Sequence, residues 1–236
     1  MISKHREAWE ELGDPVATDI MNVGFRLSFQ IEPSLSYHPP HARISKANLP
    51  IFRPLIPEYL SRGIIREITT PQPLFFSSVF PTPKKDDTYR PIINLSILNT
   101  MLVPQSFKME TVAKIATCLT VALWGITMDL KDAFFHVPIA WEYHKYFAFK
   151  MDGHIYVFQF LPFGLSPAPW AFSRTIKPIK SHLHELSIMM FSLLDDFLIL
   201  APSQVQLEET AQKVIKCFQK LGLSINVKNP CSNPHG

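Results

Sequence analysis

Residues 191–200 read FSLLDDFLIL, with Asp195 and Asp196 side by side in an otherwise apolar run. Taking ionised carboxylates out of water is costly unless a cation or hydrogen-bond donors compensate. Two readings fit the stretch: a tight hairpin turn with both acids in solvent, or a metal site. A third acid, Asp129, closes the apolar run VALWGITMDL. If the two runs pair in one sheet, three carboxylates meet at one edge, where they repel one another unless divalent cations neutralise them. All-oxygen ligands with no His or Cys nearby select Mg²⁺ or Mn²⁺ over zinc. Two such ions about 3.5–4 Å apart form the clamp used for in-line displacement at phosphorus.

The pattern around these acids predicts the elements that must hold them. SIMMFSLL and FLILAP read as a hairpin whose turn is the two aspartates, and VALWGITMDL as a buried strand ending at Asp129. SQVQLEETAQKVIKCFQKLGL reads as an amphipathic helix with Val205, Ala211, Val214, Ile215, Phe218 and Leu221 at helical spacing. Ser203 caps it, with Gln206 three residues on, and Gly222 stops it. LSINV is a final short strand. Upstream, LFFSSVFPTP and TYRPIINL flank the polar turn KKDD in a hairpin, and a helix is expected at about Glu110–Cys118. YFAFKM and HIYVFQF flank an Asp-Gly turn. SPAPWAFSRTIKPI opens a helix for which Ser166 is a candidate cap, and another helix covers Leu49–Arg62 up to Gly63. Residues 1–45 read as a weakly structured lead segment. Hairpins mixed irregularly with helices predict an α+β domain with an antiparallel sheet.

The totals agree with a globular chain: 236 residues, 47% hydrophobic, 18% charged and a net charge of +3, which permits a polyanionic partner without requiring one. Three cysteines and nine histidines show no metal-ligand spacing and no disulfide framework, and a reducing, intracellular compartment is expected, nucleus and cytoplasm both remaining open. No signal peptide or membrane-spanning run is visible, so no membrane partner is expected.

The motifs together carry a resemblance. WGITMDLKDAFFHVPI resembles the first catalytic motif of reverse transcriptases. FQFLPFGLSPAPWAFSRTI resembles the motif forming the floor of their nucleotide pocket, FSLLDDFLIL their Asp-Asp hairpin, SVFPTPKKDDTYRPIINLSILN their fingers hairpin, and LGLSINVKNP the motif after the Asp-Asp helix. The order and spacing match over roughly residues 24–230. The phrasing DLKDAFFHVPI, LPFGLSPAP and VGFRLSFQIEP looks closest to retroelements of the tyrosine-recombinase (DIRS) type, with long-terminal-repeat retrotransposons next.

The resemblance implies an RNA-directed DNA polymerase core, a nucleotidyltransferase that moves dNMP from dNTP to a primer 3′-OH on an RNA or DNA template by two-metal-ion catalysis. It implies two Mg²⁺, with Mn²⁺ able to substitute. Asp129 would bind both metals and Asp195 complete the site, Asp196 would add charge and hold the hairpin, and the main-chain carbonyl of Leu130 would be a further metal ligand. Lys84 and Arg90 would hold the triphosphate, as a mobile point charge and a planar bidentate fork respectively; Lys85 is an equal alternative to Lys84 on charge alone. Phe134 would exclude a ribose 2′-OH, Phe163 pack against the nucleotide, and Gly164 let the backbone approach nucleotide and template closely. Lys228 is the candidate general acid for pyrophosphate.

The implied architecture is the right-hand polymerase, with an N-terminal lead segment at 1–40, fingers at 41–103 and 137–167, and a palm at 104–136 and 168–236 whose antiparallel sheet is backed by helices. A thumb is not expected within the chain, so a thumb or RNase H region encoded downstream is an expected partner. Leu193 stands where an aromatic is common, and Asn94 where aspartate is common. The alternative is a truncated, non-catalytic remnant acting as a nucleic-acid-binding or partner-binding module. An RNA-dependent RNA polymerase is disfavoured by Phe134, because such an enzyme has to admit the hydroxyl.

Overall fold

The computed structural model describes residues 5–37, 44, 47–83, 89–106 and 123–227. The elements run α1 (Arg6–Glu11), α2 (Pro15–Asn22), α3 (Leu49–Phe52), α4 (Leu55–Ser61), β1 (Ile65–Glu67), β2 (Val79–Pro83), β3 (Tyr89–Ile93), α5 (Ser96–Met101) and β4 (Trp124–Leu130). After two 3₁₀ turns, Ala133–His136 and Trp141–Tyr146, come β5 (Ala148–Met151), β6 (His154–Phe158), α6 (Ala168–Glu185), β7 (Met189–Leu193), β8 (Asp196–Ala201), α7 (Gln204–Lys220) and β9 (Ile225–Val227). The strand pairings within the described sheets are antiparallel, as the mixed hairpin pattern predicts. The expected helix at about Glu110–Cys118 and the KKDD turn lie outside the described residues. Among the described residues no helix is long and apolar enough to cross a membrane.

The chain divides into two compact units. The first comprises Met1–Asn22, Ser106–Ala133 and Pro169–Gly236. Its sheet has the order β7-β8-β4-β9. Side chains alternate along β4, so Ile126, Met128 and Leu130 are buried while Gly125, Thr127 and Asp129 lie on the other face. Register brings Met128 opposite Phe197 and Ile126 opposite Ile199, so β8 adds its own buried residues to the same face. Helix α7 covers that face with Leu207, Ala211, Val214 and Phe218, and the Phe218 ring meets Phe197 edge-on at 5.2 Å. Ser203 caps α7 by accepting from the Gln206 N–H, as the sequence indicates. Val205 instead is 67% exposed, and Leu207 takes the inward place, because a cap at Ser203 sets the helical phase.

The lead segment differs from expectation. Two helices occupy Arg6–Asn22, and Trp9, Ala17, Ile20 and Met21 are buried. Trp9 donates its indole N–H to the Leu221 carbonyl at 3.1 Å, and the His5 ring bonds the Lys220 carbonyl at 2.8 Å. These contacts satisfy carbonyls that the C-terminus of α7 leaves open. The charged, proline-containing composition hid the spacing of Ala17, Ile20 and Met21.

The second unit comprises Val23–Gln105 and Phe134–Ala168. It holds a sheet of order β1-β6-β5 and the β2-β3 hairpin. The β5-β6 hairpin turns on Asp152 and Gly153, both at positive φ (47° and 89°), as an Asp-Gly turn of that tightness requires. The helix expected over Leu49–Arg62 is broken in two at Arg53–Pro54, since proline lacks the N–H that continuity needs. Ser166 is not a cap: α6 starts at Ala168, and the Ser166 N–H donates to the Asn99 side chain at 2.9 Å.

His144, in the turn Trp141–Tyr146, is buried and its Nε2 meets the Ile139 carbonyl at 2.9 Å, while Nδ1 is buried with no hydrogen-bond partner among the described residues. Burial pushes its pKa below the ordinary value, and the Arg66 charge acts in the same direction against the bond to Ile139. The unfolded chain therefore takes up a proton near the ordinary value of about 6.5 while the folded one resists it. Stability falls as pH drops below that value, and the slope of melting temperature against pH should be shallower in His144→Gln than in wild type. Phe218→Ala removes the ring that α7 sets against Phe197 and should cost about 3–5 kcal/mol in urea unfolding.

Candidate functional site

Register decides which acids meet. Asp129, on β4, pairs with Asp196, the first residue of β8, and with Asn226 on β9, while Asp196 also faces Leu193 on β7. Leu193, Asp196, Asp129 and Asn226 thus form one row across four strands, on the face that α7 does not cover. The strand runs one residue further than expected, to Leu130. The turn also differs: its tip is Leu194–Asp195, with Asp196 already in the strand. Leu194 takes a left-handed φ of 58°, which a non-glycine residue adopts at some cost. Two adjacent acids cannot both occupy that two-residue turn while Asp196 keeps its pairing with Leu193 and Asp129. The Leu130 N–H donates to the Asp195 carbonyl at 3.1 Å, tying the turn to the residue after Asp129.

Directly opposed residues of an antiparallel pair have Cβ atoms about 4.5–5.5 Å apart, so Asp129 and Asp196 are close enough to repel. Among the described residues, no three His, Cys, Asp or Glu side chains are gathered into a ready-made metal cluster. The donor chemistry nevertheless fits a hard divalent cation: an opposed carboxylate pair, a third carboxylate in the adjoining turn, and no nitrogen or sulfur ligand. Lys228 lies outside the described residues.

The second unit assembles another group of expected site residues. Arg90 sits on β3 opposite Thr82, and its guanidinium carbon lies 4.1 Å from the centre of the Phe163 ring. Phe163 in turn lies 5.1 Å from Phe134 and 5.4 Å from Phe135. The Arg90 Nε is buried with no hydrogen-bond partner among the described residues. Phe135 is core, as expected, packed against Tyr59 and Phe158. Lys84 and Lys85 lie outside the described residues.

Gly164 has φ 107°, and a Cβ there would come within 2.5 Å of the Ile93 carbonyl. Its close approach is thus to the end of β3. Asn99 clamps the same loop, donating to the Gly164 carbonyl at 2.8 Å and accepting from the Ser166 N–H at 2.9 Å. Sequence reading missed this residue, since nothing local marks an asparagine near a helix end as the anchor of a loop 65 residues away. Asn94 accepts from the Ser96 N–H and hydroxyl at 3.2 and 2.8 Å. These bonds need an acceptor oxygen and no charge, which accounts for asparagine serving there.

Residues 82–228 match the family described as reverse transcriptase (RNA-dependent DNA polymerase). The chain belongs to the reverse transcriptase family. It is 29% identical over 186 residues to the Gag-Pol polyprotein of Walleye dermal sarcoma virus, covering 76% of the chain and 10% of that protein. It is 26% identical over 176 residues to the retrovirus-related Pol polyprotein from transposon opus of Drosophila melanogaster, covering 73% and 17%. The chain therefore spans a small part of these reverse-transcriptase relatives. The fold matches that of the foamy viral protease-reverse transcriptase in complex with double-stranded DNA, with a TM-score of 0.68 at 17% identity over 94% of this chain and 42% of that one. Native prototype foamy virus protease-reverse transcriptase gives 0.67 at 19% identity, over 85% and 26%. The α+β polymerase fold expected from the sequence is thereby shown.

Asn99→Ala removes both of its hydrogen bonds to the exposed Gly164–Ser166 loop, whose carbonyl and N–H then turn to water, and should cost roughly 0.5–1.5 kcal/mol. Asn99→Asp keeps the acceptor for Ser166 and loses the donor to Gly164, so its unfolding midpoint should fall between those of Asn99→Ala and wild type.

Proposed function

We propose that this chain is the polymerase core of a retroelement reverse transcriptase, transferring dNMP from dNTP to a primer 3′-OH on an RNA or DNA template. The observation that carries the reading is the register that sets Asp129 opposite Asp196 with Asp195 in the adjoining turn, in a chain of this family. The phrasing of DLKDAFFHVPI and LPFGLSPAP supports an element of the tyrosine-recombinase type. On this reading residues 41–103 and 137–167 serve as fingers and 104–136 and 168–236 as palm.

Asp129, Asp195 and Asp196, with the main-chain carbonyl of Leu130, would hold a pair of divalent cations, Mg²⁺ or Mn²⁺. Bound there, such cations supply charge neutralisation at the attacking and leaving oxygens. In the reaction the primer oxygen bonds to the α-phosphorus, the bond to pyrophosphate breaks, one proton leaves the hydroxyl and one reaches pyrophosphate. Lys228 is the candidate donor of the latter. Arg90 would offer its guanidinium edge to the triphosphate, with Lys84 adding a point charge. Phe163, held between Arg90 and Phe134, gives that guanidinium a ring to lie against. Phe134 would exclude the 2′-OH by its bulk, and Gly164 keep the loop close to β3.

Primer extension on poly(rA)–oligo(dT) with dTTP and Mg²⁺ tests this. Asp129→Asn and Asp195→Asn should each lower incorporation by about a thousandfold or more, equivalent to roughly 4 kcal/mol at the transition state. Chelation by EDTA should abolish it. An unchanged rate in either variant overturns the assignment of the acids. Phe134→Val should raise the use of rNTP relative to dNTP by about tenfold or more, and an unchanged ratio would remove Phe134 from the gate.

A further inference from the structure

Trp141 is 66% exposed, far more than an indole in a folded unit usually is. It is not simply a stray side chain. The guanidinium of Arg66 lies 4.1 Å from its ring centre, and the His144 ring stands tilted against it at 5.3 Å. Arg66 projects from β1, and the 3₁₀ turn carrying Trp141 is bound to the same sheet, since Ile139 N–H donates to the Gln159 carbonyl and Gln159 N–H to that of Ile64. All of these residues belong to the second unit.

Among the described residues Arg66 has no carboxylate partner, and its Nε is buried without a hydrogen bond. Lys145, in the same turn as Trp141, lies 5.2 Å from the Tyr146 ring and likewise has no carboxylate partner among the described residues. Glu142, and Glu32 through its bond from the Tyr146 hydroxyl, bring opposing charges to the turn, and buried His144 is disfavoured from carrying a positive one. An open indole held on a stacked guanidinium, with the Lys145 ammonium in the same turn and neither cation ion-paired among the described residues, matches an anion that also carries a flat ring. A nucleotide unit has both. Duplex bases are already stacked and offer no free face, whereas an unpaired base does.

We propose that Trp141 and Arg66 form a stacking platform for single-stranded nucleic acid, with a base on the exposed indole and the flanking phosphodiesters on Arg66 and Lys145. The choice of nucleic acid as occupant rests on the reverse transcriptase reading above. Its natural place would be unpaired template.

The test is binding of fluorescein-labelled oligo(dT) to the full chain by anisotropy over a salt series, without catalysis. Trp141→Ala should weaken binding about 5- to 100-fold, the value of one stacked base. Arg66→Ala should weaken it as well and reduce the slope of log affinity against log salt by about 0.7. Quenching of tryptophan emission by oligo(dT) should be present in wild type and lost in Trp141→Phe, a variant that keeps an aromatic ring in place. Wild-type affinity in both alanine variants, undiminished quenching in Trp141→Phe, or no oligonucleotide binding by wild type each overturns the platform. Oligo(dT) binding that depends on Trp141, in a chain without incorporation, keeps the platform and removes the enzyme reading. Incorporation with Trp141-independent binding does the reverse.

Discussion

The apolar contact between one face of the four-stranded sheet and α7 fixes the register on which the carboxylate row depends. Met128 faces Phe197 across the strands, and Phe218 of α7 meets Phe197 edge-on. A slip of one residue would turn every side chain of β4 to the opposite face, burying Asp129 and exposing Met128. The loss of apolar burial and the desolvation of a carboxylate oppose that slip together. The same packing that builds the core therefore sets Asp129 opposite Asp196. The N-terminal helices extend this constraint, because Trp9 and His5 bond the carbonyls at the end of α7, just before the chain turns into β9.

The second unit is organised by a different device, close backbone approach combined with stacking. Gly164 has no Cβ, so its loop lies against the Ile93 carbonyl, and Asn99 bonds both sides of that loop. Phe163, next in sequence, is thereby held between Phe134 and Arg90. An aromatic face supporting a guanidinium leaves its in-plane N–H groups as the only polar edge, which suits phosphate better than a freely rotating charge would. Arg66 on Trp141 repeats the pairing elsewhere in the same unit, there with the indole open. A guanidinium on an aromatic ring is thus used twice, once over a half-buried ring packed against other aromatics and once over an exposed one.

The strands and helices that carry a strong local period were legible in the sequence. The apolar run identified β4, the Asp-Gly pair the β5-β6 turn, and Ser203 the start of α7, because each depends on contacts within a few residues. The same local logic failed where a distant partner decides. Two aspartates look like the turn they adjoin, yet pairing with Asp129 draws Asp196 into the strand and leaves Leu194 in the left-handed conformation. Ser166 looks like a cap, yet Asn99 takes its N–H. Residues 5–22 look like a charged tail, yet Trp9 finds its acceptor at Leu221.

The sequence by itself determined the element types, the antiparallel α+β class and the family, since these follow from periodicity and from motifs read in order. Tertiary structure alone decided which residues became neighbours: the row Leu193–Asp196–Asp129–Asn226, the stack Arg90–Phe163–Phe134, the clamp at Asn99 and the pairing of Arg66 with Trp141. Periodicity tells which face a side chain occupies, but only strand register and close packing tell which residue, tens of positions away, occupies the face beside it.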